Sequence, residues 1–221
     1  MNLKTKPYCE QVREWPESGR HILAQFDDET IIVYQAYRPQ IGRFASEHGY
    51  FGGEFSYSRM SWIKPNFLWM MYRSNWAQSE GQEVVLSIRL RRTFFDSLLE
   101  QAVPSSFVPE LFENQDAWKT AVSRSDVRLQ WDPDHDPNGG KCERRAVQLG
   151  IRGETLKAYG KKEIVEIIDM SDLVSQQREF IGDWKSGKLL TPAEQVYVPS
   201  SEVAAPNVGL DELRNASEEQ A

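Results

Sequence analysis

The chain has 221 residues, of which 40% are hydrophobic and 11% aromatic, so it has enough apolar side chains for one folded domain. Its net charge of -7 disfavours a protein that coats nucleic acid by bulk electrostatic attraction. No apolar run approaches the roughly 18 residues of a membrane span, and the two cysteines are too few for a disulfide framework. We therefore expect a cytoplasmic protein with no membrane partner and no metal.

The first half of the chain begins with a polar, proline-containing stretch, so residues 1–17 are predicted to form a loose N-terminal segment. Residues 30–37 are rich in β-branched and aromatic side chains and predict a strand. Apolar residues at helical spacing from Pro39 to His48, with Gly49 beyond them, predict a short helix that ends at a glycine.

The most aromatic stretch, residues 61–76, contains three of the seven tryptophans. Pro65 fits the first turn of a helix and Asn66 offers a capping side chain, so a helix is predicted from about Pro65 to Trp76. Its apolar residues lie on both sides, which is typical of a helix buried on both sides. Lys64 and Arg73 are then cations beside a buried element, where such groups are paired or face an anionic ligand.

The second half predicts strands at residues 83–90, 127–131, 145–151 and 164–168, and helices that begin at Thr93, Gly153 and Ser171. Residues 103–116 and 132–140 are predicted loops. This order indicates one α+β domain at residues 18–185, with a mixed, mostly antiparallel sheet and short helices. Residues 186–221 are predicted to be an extended, disordered acidic tail.

The predicted loop after Asp132 has acidic side chains at the spacing of a calcium-binding loop, with Glu143 at its twelfth position. Pro137 occupies the position where that template needs a glycine, and no helices are predicted on either side. A solvated acidic turn is the better interpretation.

Polar side chains end the first long strand: Tyr34, Gln35 and Tyr37 interrupt its apolar run and Arg38 follows. Groups of this kind at a strand end form a hydrogen-bonding and stacking site for a planar ligand. The alternative is structural, because tyrosine hydroxyls at a sheet edge are common.

Arginine and glutamine also occur in the later strands. Arg128 and Gln130 share one face of their strand, and Arg145 lies on the next strand. If these groups meet Lys64 and Arg73, they make a cationic cleft for a phosphate or carboxylate ligand. Nothing in the sequence shows that they meet.

Four segments together resemble a known family. They are Val33 to Tyr37, Trp62 to Ser74, Arg128 to Pro133 and Ala146 to Gly150. On these residues, and over about residues 18–180, the chain is identified as a member of the domain-of-unknown-function family numbered 4291. The family name brings no activity with it.

The opening of the domain is also similar to that of ADP-ribosyltransferase-like domains: a strand with two tyrosines, a helix closed by glycine, then a mixed series of strands. In those domains a residue of the first strand holds the nicotinamide part of NAD. The resemblance implies this role for Tyr34, Gln35 or Tyr37 and makes NAD the cofactor.

The same resemblance leads to Gln148 and Glu154 as stand-ins for the late catalytic glutamate. The chain departs from the pattern because the usual histidine or arginine is not at the expected strand position, although Arg38 is near.

Three functions follow as hypotheses. The first is binding of a nucleotide-like anion, with NAD-dependent transfer of ADP-ribose. The second is a non-catalytic module for RNA or single-stranded DNA, which needs Trp62, Trp69 or Tyr72 to be exposed. The third is a structural or interaction domain whose aromatic stretch is core, which burial of the three tryptophans together with surface ion pairs of Lys64 and Arg73 would favour.

Overall fold

Two antiparallel pairings, of residues 30–37 with 84–91 and of residues 127–135 with 141–151, are the longest in a computed structural model that describes residues 3–212. The strands are β1 (Thr5–Pro7), β2 (Gly19–Arg20), β3 (Ile22–Ala24), β4 (Thr30–Tyr37), β5 (Ser61–Ile63), β6 (Val84–Arg91), β7 (Val103–Pro104), β8 (Val127–His135), β9 (Lys141–Ile151), β10 (Ile164–Asp169), β11 (Leu190–Pro192) and β12 (Gln195–Tyr197).

The helices are short and lie between the strands. They are α1 (Tyr8–Gln11), α2 (Pro39–His48), α3 (Phe67–Ser74), α4 (Arg92–Gln101), α5 (Gln115–Arg124), α6 (Gly153–Ala158), α7 (Ser171–Arg178) and α8 (Ala204–Val208), with a π-helical turn at Tyr159–Glu163 and a 3-10 helix at Ile181–Ser186. Within residues 3–212, none of these helices has the length and apolar character needed to cross a membrane.

The strands form two main sheets. One has the antiparallel order β10-β6-β4, and the other has the order β2-β9-β8-β7 with β5 also paired to β9. The pairs β2-β9 and β7-β8 are parallel, while the other pairs in these two sheets are antiparallel. The predicted α+β class, a single domain with mixed and mostly antiparallel strands and short helices, is confirmed.

A backbone bridge joins the two sheets. The backbone N–H of Tyr34 in β4 donates to the carbonyl oxygen of Lys64 (2.6 Å), and the N–H of Lys64 donates to the carbonyl of Tyr34 (3.3 Å). Because Lys64 directly follows β5, which pairs with β9, this bridge ties the edge of one sheet to the edge of the other.

The central strand β6 is buried on both faces. Leu86, Ile88 and Leu90 belong to one hydrophobic cluster, which also contains residues of α4, β8 and β9. Val85 points to the opposite face, as alternation requires, and belongs to a second cluster with Phe67 of α3. Helices therefore cover both faces of this strand.

The tryptophan-rich helix forms as predicted but is shorter. Helix α3 begins after Asn66, whose side-chain oxygen accepts a hydrogen bond from the backbone N–H of Trp69 (2.6 Å). It ends before Asn75, which has a left-handed backbone (φ 49°). Residues 67–71 are buried, whereas Tyr72 is 48% exposed, so burial on both sides holds only for the N-terminal part of the helix.

The predicted loop at residues 132–140 is wrong for residues 132–135, which continue strand β8. Asp132 and Pro133 pair with Ala146 and Arg145 of β9, and this long-range pairing overrides the local turn preference of the sequence. Helix α5 was not predicted; the side chain of its N-cap residue, Asn114, accepts hydrogen bonds from two backbone N–H groups.

The two flanking segments differ from expectation within the described residues. Strand β1, in the segment expected to be loose, pairs with β11, in the expected tail, and β12 pairs with β3. Apolar side chains explain this, because Tyr8 and Tyr197 are both buried in the core. The last part of the expected acidic tail, residues 213–221, lies outside the described residues.

Glu194 connects this C-terminal segment to helix α3. Glu194 is 5% exposed. Its carboxyl group accepts a hydrogen bond from the backbone N–H of Phe67 (2.7 Å), the first residue of α3. Its backbone N–H donates to Gln11, and its carbonyl accepts from the indole N–H of Trp15. Burial raises the pKa of Glu194 well above its ordinary value.

Replacing Glu194 by glutamine is expected to reduce the pH dependence of stability. Because the folded-state pKa is raised, the folded chain keeps a proton that the unfolded chain loses above a pKa of about 4.3. The free energy of unfolding therefore falls as pH rises through this range, by at most about 1.4 kcal/mol per pH unit. The E194Q chain lacks this loss.

Urea unfolding at pH 5 and pH 8 measures the difference. The exposed Glu154 provides the control, since E154Q should keep the slope of the unmodified chain. Equal slopes for E194Q and the unmodified chain would contradict the prediction.

Candidate functional site

A cavity of about 640 Å³ lies where the two main sheets meet. Four parts of the fold build its walls: the end of β4, strand β5 with Lys64 behind it, helix α3, and the central residues of β8 and β9. The side chains used below are Gln35, Tyr37, Arg59, Ser61, Trp62, Lys64, Trp69, Arg73, Glu80, Gln130 and Gln148.

Six of the predicted site residues line this one cavity. They are Gln35, Tyr37, Lys64, Arg73, Gln130 and Gln148. The convergence that the sequence left open is therefore present for these residues, which come from β4, the residue after β5, α3, β8 and β9.

Lys64 is the buried cation of the cavity. It is 4% exposed, and its ammonium lies over the ring of Trp69, 4.4 Å from the ring centroid. Within residues 3–212, neither Lys64 nor Arg73 forms an ion pair with a carboxylate. The surface ion pairs that would favour a purely structural domain are therefore not formed by either cation within these residues.

The pKa of Lys64 is lowered to about 7, chiefly by burial and in addition by the positive charge of Arg73. Asp132 acts in the opposite direction, and the face of the Trp69 ring also stabilises the ammonium form. Lys64 is therefore a cation whose charge is costly at this buried position and which a bound anion would stabilise.

The indole N–H of Trp69 is a second hydrogen-bond donor of this cavity that lacks a partner within the described residues. The residue is 7% exposed, and its indole N–H is buried without a hydrogen-bond acceptor among residues 3–212. A buried donor without a partner costs about 1–3 kcal/mol. An acceptor atom of a ligand in this cavity would remove that cost.

A buried hydrogen-bond network holds the β4 side of the cavity. The Gln35 amide donates to the Ser61 hydroxyl (2.8 Å) and to the carbonyl of Trp62 (2.9 Å), and its oxygen accepts from the hydroxyl of Tyr159 (2.6 Å). Ser61 also bonds the Tyr37 hydroxyl (2.8 Å). The amide hydrogens and the oxygen of Gln35 are all hydrogen-bonded within the protein, so Gln35 holds this wall of the cavity in position.

The opposite wall is organised by Asp132, which sequence reasoning missed. Its two carboxylate oxygens accept hydrogen bonds from the amides of Gln148 (2.6 Å) and Gln130 (3.0 Å). All three side chains lie on one face of the β8-β9 pair because Gln130 and Gln148 are register partners. The residue was overlooked because it was assigned to a loop.

Five predicted site residues lie elsewhere. Tyr34 is fully buried behind the cavity wall, with its hydroxyl lacking a partner among residues 3–212. Arg38 pairs with Glu54 at the surface (2.6 Å), and Glu154 pairs with Lys157 (2.6 Å). The two others are Arg128, which donates to backbone carbonyls at the end of α5, and Arg145, which lines a different cavity.

The sequence analysis did not single out Arg59, Ser61 or Glu80, which also line the cavity, and it considered Trp62 and Trp69 only as stacking residues of a nucleic-acid module. The usable signal was the excess of basic residues between positions 38 and 92, which includes Arg59, and the density of tryptophan around Lys64.

A larger cavity, about 890 Å³, is lined by Glu14, Glu17, Asp211 and Glu212, so it does not suit an anion.

The calcium-loop pattern is not a metal site in the structure, because Asp134 pairs with Arg144 (2.6 Å) and Asp132 binds the two glutamines. Within residues 3–212 there is no group of three or more histidine, cysteine or acidic side chains placed to hold a metal ion.

A family model described as a domain of unknown function, DUF4291, matches residues 21–197. No curated protein matches the chain. The matched range contains every residue of the 640 Å³ cavity.

Replacing Lys64 by methionine is expected to stabilise the protein near neutral pH. The folded-state pKa of Lys64 is about 7, whereas an unfolded lysine has a pKa of about 10.4. Between these values the unfolded chain holds a proton that the folded chain lacks, so stability rises with pH by at most about 1.4 kcal/mol per pH unit.

The K64M chain lacks this rise. Its free energy of unfolding should therefore exceed that of the unmodified chain by the largest amount at pH 6, and the difference should become smaller towards pH 9. Urea unfolding at both values measures it. Lys141 is exposed, so K141M should leave the profile unchanged. A difference that is constant across this range would refute the assigned pKa.

Proposed function

Because the chain belongs to the DUF4291 family, whose name assigns no activity, we propose from the geometry that the 640 Å³ cavity binds a planar, anionic ligand of the nucleotide class. Its volume falls within the range of about 300–1,000 Å³ that is usual for small-molecule sites.

One observation carries the proposal: the buried Lys64 ammonium lies over the ring of Trp69, and among residues 3–212 the ammonium has no carboxylate partner and the buried indole N–H has no acceptor. Each group is unfavourable when it is buried without a partner, and both are relieved by the same kind of atom, an anionic oxygen. Lys64 and Trp69 thus supply two donors for a phosphate or carboxylate group.

The charges around the opening agree with an anionic ligand. Arg59 and Arg73 line the cavity and are exposed, so their guanidinium groups are free to move towards a phosphate. Glu80 is the acidic side chain on this rim. Together with Lys64 the lining has three basic groups against one acidic group, which attracts an anion from solution.

The planar part of the ligand is supported by two half-buried aromatic side chains, Tyr37 and Trp62. Ring faces of this kind stack on a base or on nicotinamide and tolerate several ring systems. The carboxylate of Asp132, held by Gln130 and Gln148, adds a fixed acceptor close to the cavity that would suit the hydroxyls of a ribose.

NAD is our first candidate among nucleotides, and ADP-ribosyl transfer remains a proposal. Of the two residues named for catalysis, Gln148 lines the cavity, while Glu154 is exposed on α6 and paired with Lys157. A role in transfer would therefore fall to Gln148 with Asp132, which lie on one side of the ligand space.

The nucleic-acid alternative has one observation in its favour. Tyr72 is 48% exposed on α3, directly before Arg73, and stacks on His135 with ring centroids 3.5 Å apart. Trp69, in contrast, is buried, so a stacking platform of several exposed tryptophans is absent from this helix within the described residues.

Calorimetric titration with NAD, AMP and adenosine tests the proposal. We expect NAD and AMP to bind, and adenosine, which lacks the phosphate, to bind more weakly. R73A and K64M should each weaken NAD binding at least about tenfold, since a hydrogen bond to a charged group contributes about 1.5–3 kcal/mol.

The exposed Arg43 on α2 lies outside the cavity, and R43A should bind as the unmodified chain does. Absence of binding to all three compounds at millimolar concentration would exclude the proposed function. Binding of an oligonucleotide that is lost in Y72A and kept in K64M would favour the alternative.

The affinity for NAD is expected to fall as pH rises from 6 to 9. The free cavity loses the Lys64 proton around pH 7, and only the ammonium form attracts the pyrophosphate. Binding should therefore take up protons, which calorimetry in buffers of different ionisation enthalpy detects. K64M should show no proton uptake and a flat profile; uptake that persists in K64M would assign it to another group.

A further inference from the structure

We propose that a second cavity, of about 750 Å³, binds a phosphate monoester between Arg20 and Arg145. This site is independent of the nucleotide site proposed above. It accounts for Arg145, the predicted ligand-binding residue that the structure separates from Lys64 and Arg73.

The two arginines are direct neighbours across a strand pair. Arg20 of β2 and Arg145 of β9 are register partners in a parallel pairing, so their Cα atoms are about one strand spacing apart and both side chains leave the same face. Like charges directly opposite each other repel. Neither arginine forms an ion pair with any side chain in residues 3–212, and both are exposed.

A doubly charged phosphate is the chemical group that this pair fits best. Each guanidinium presents a planar fork of N–H donors, and two forks side by side match the several oxygens of one phosphate. Binding would turn the repulsion between Arg20 and Arg145 into two attractions to the same ligand.

The floor of the cavity fits an apolar or aromatic body attached to that phosphate. Trp131 and Arg145 lie on the same face of the β8-β9 pair, because Trp131 faces Val147 and Arg145 faces Pro133 in the register. The Trp131 indole N–H donates to the carbonyl of Val208 (2.9 Å), which fixes the ring.

Alternation also places Arg145 and Lys64 in different cavities. Gln148 points to the face of the strand pair opposite Arg145, towards Lys64, whereas Gln130 lines both cavities. The two cavities share no charged lining residue, so the two sites can be tested one at a time.

Glu110 is the acidic side chain that lines this second cavity. It opposes anion binding there, so removing its charge should have the opposite effect to removing an arginine. The pair R145A and E110Q is therefore a matched test of sign.

The experiment uses the full chain carrying R73A, which weakens the first site, and titrates it with AMP at constant pH. The readout is the indole N–H resonance of Trp131, identified by its absence from the spectrum of W131F. We expect this resonance to shift with AMP and inorganic phosphate and to respond little to adenosine.

Adding R145A or R20A should weaken AMP binding at least about tenfold, from the loss of one charged hydrogen-bonding partner. R145K should recover only part of it, and E110Q should tighten binding severalfold. No shift of the Trp131 resonance, or equal affinities in R145A and its parent, would overturn this proposal. Calorimetry of the unmodified chain with NAD, which carries no phosphate monoester, reports separately on the nucleotide site, because that binding depends on Lys64 and Arg73.

Discussion

The two hydrogen bonds between Tyr34 and Lys64 are the constraint on which the candidate site depends. They fix the backbone of Lys64 at the junction of the two sheets, immediately after strand β5. With its backbone held there, the side chain is 4% exposed and extends over Trp69 rather than into water. A surface lysine reaches solvent easily, but this one has been placed where solvent access is nearly lost.

This placement makes the ammonium form of Lys64 less favourable, and burial and the charge of Arg73 lower its pKa to about 7. An apolar residue at this position would avoid the desolvation of a charge altogether. The Trp69 ring and Asp132 stabilise the ammonium, yet its pKa remains lowered, so these contacts offset only part of the desolvation. Such departures from what stability alone would favour are typical of functional sites. The unused indole N–H of Trp69 is a departure of the same kind and lies in the same cavity.

Segments near both ends of the described residues hold helix α3 in position. Glu194, in the segment between β11 and β12, accepts the first N–H of α3, and the residues around it are held by Gln11 and Trp15. Helix α3 carries Trp69 and Arg73, so the position of both depends on contacts with segments that are distant in sequence. A helix of eight residues is too short to be stable alone, and here its N-terminus is satisfied by Asn66 and by Glu194.

Local patterns in the sequence were sufficient for the elements whose cause is local. The strand at residues 30–37, the helix that ends at Gly49 and the cap of α3 at Asn66 follow from β-branched content, apolar spacing and capping chemistry among neighbouring residues. The family membership also follows from the sequence alone. Where long-range pairing acts, as in the extension of β8 through Asp132, local turn preference gave the wrong answer.

Only the tertiary structure decided which polar residues meet. Lys64, Arg73 and Gln148 converge because β5 pairs with β9 and bridges to β4, and these hydrogen bonds connect residues more than eighty positions apart along the chain in the β5-β9 case. The same pairing turns Arg145 to the face opposite Gln148, because an odd separation along a strand reverses the direction of the side chain. A linear sequence records which groups are available, whereas register and sheet order determine which of them share a cavity.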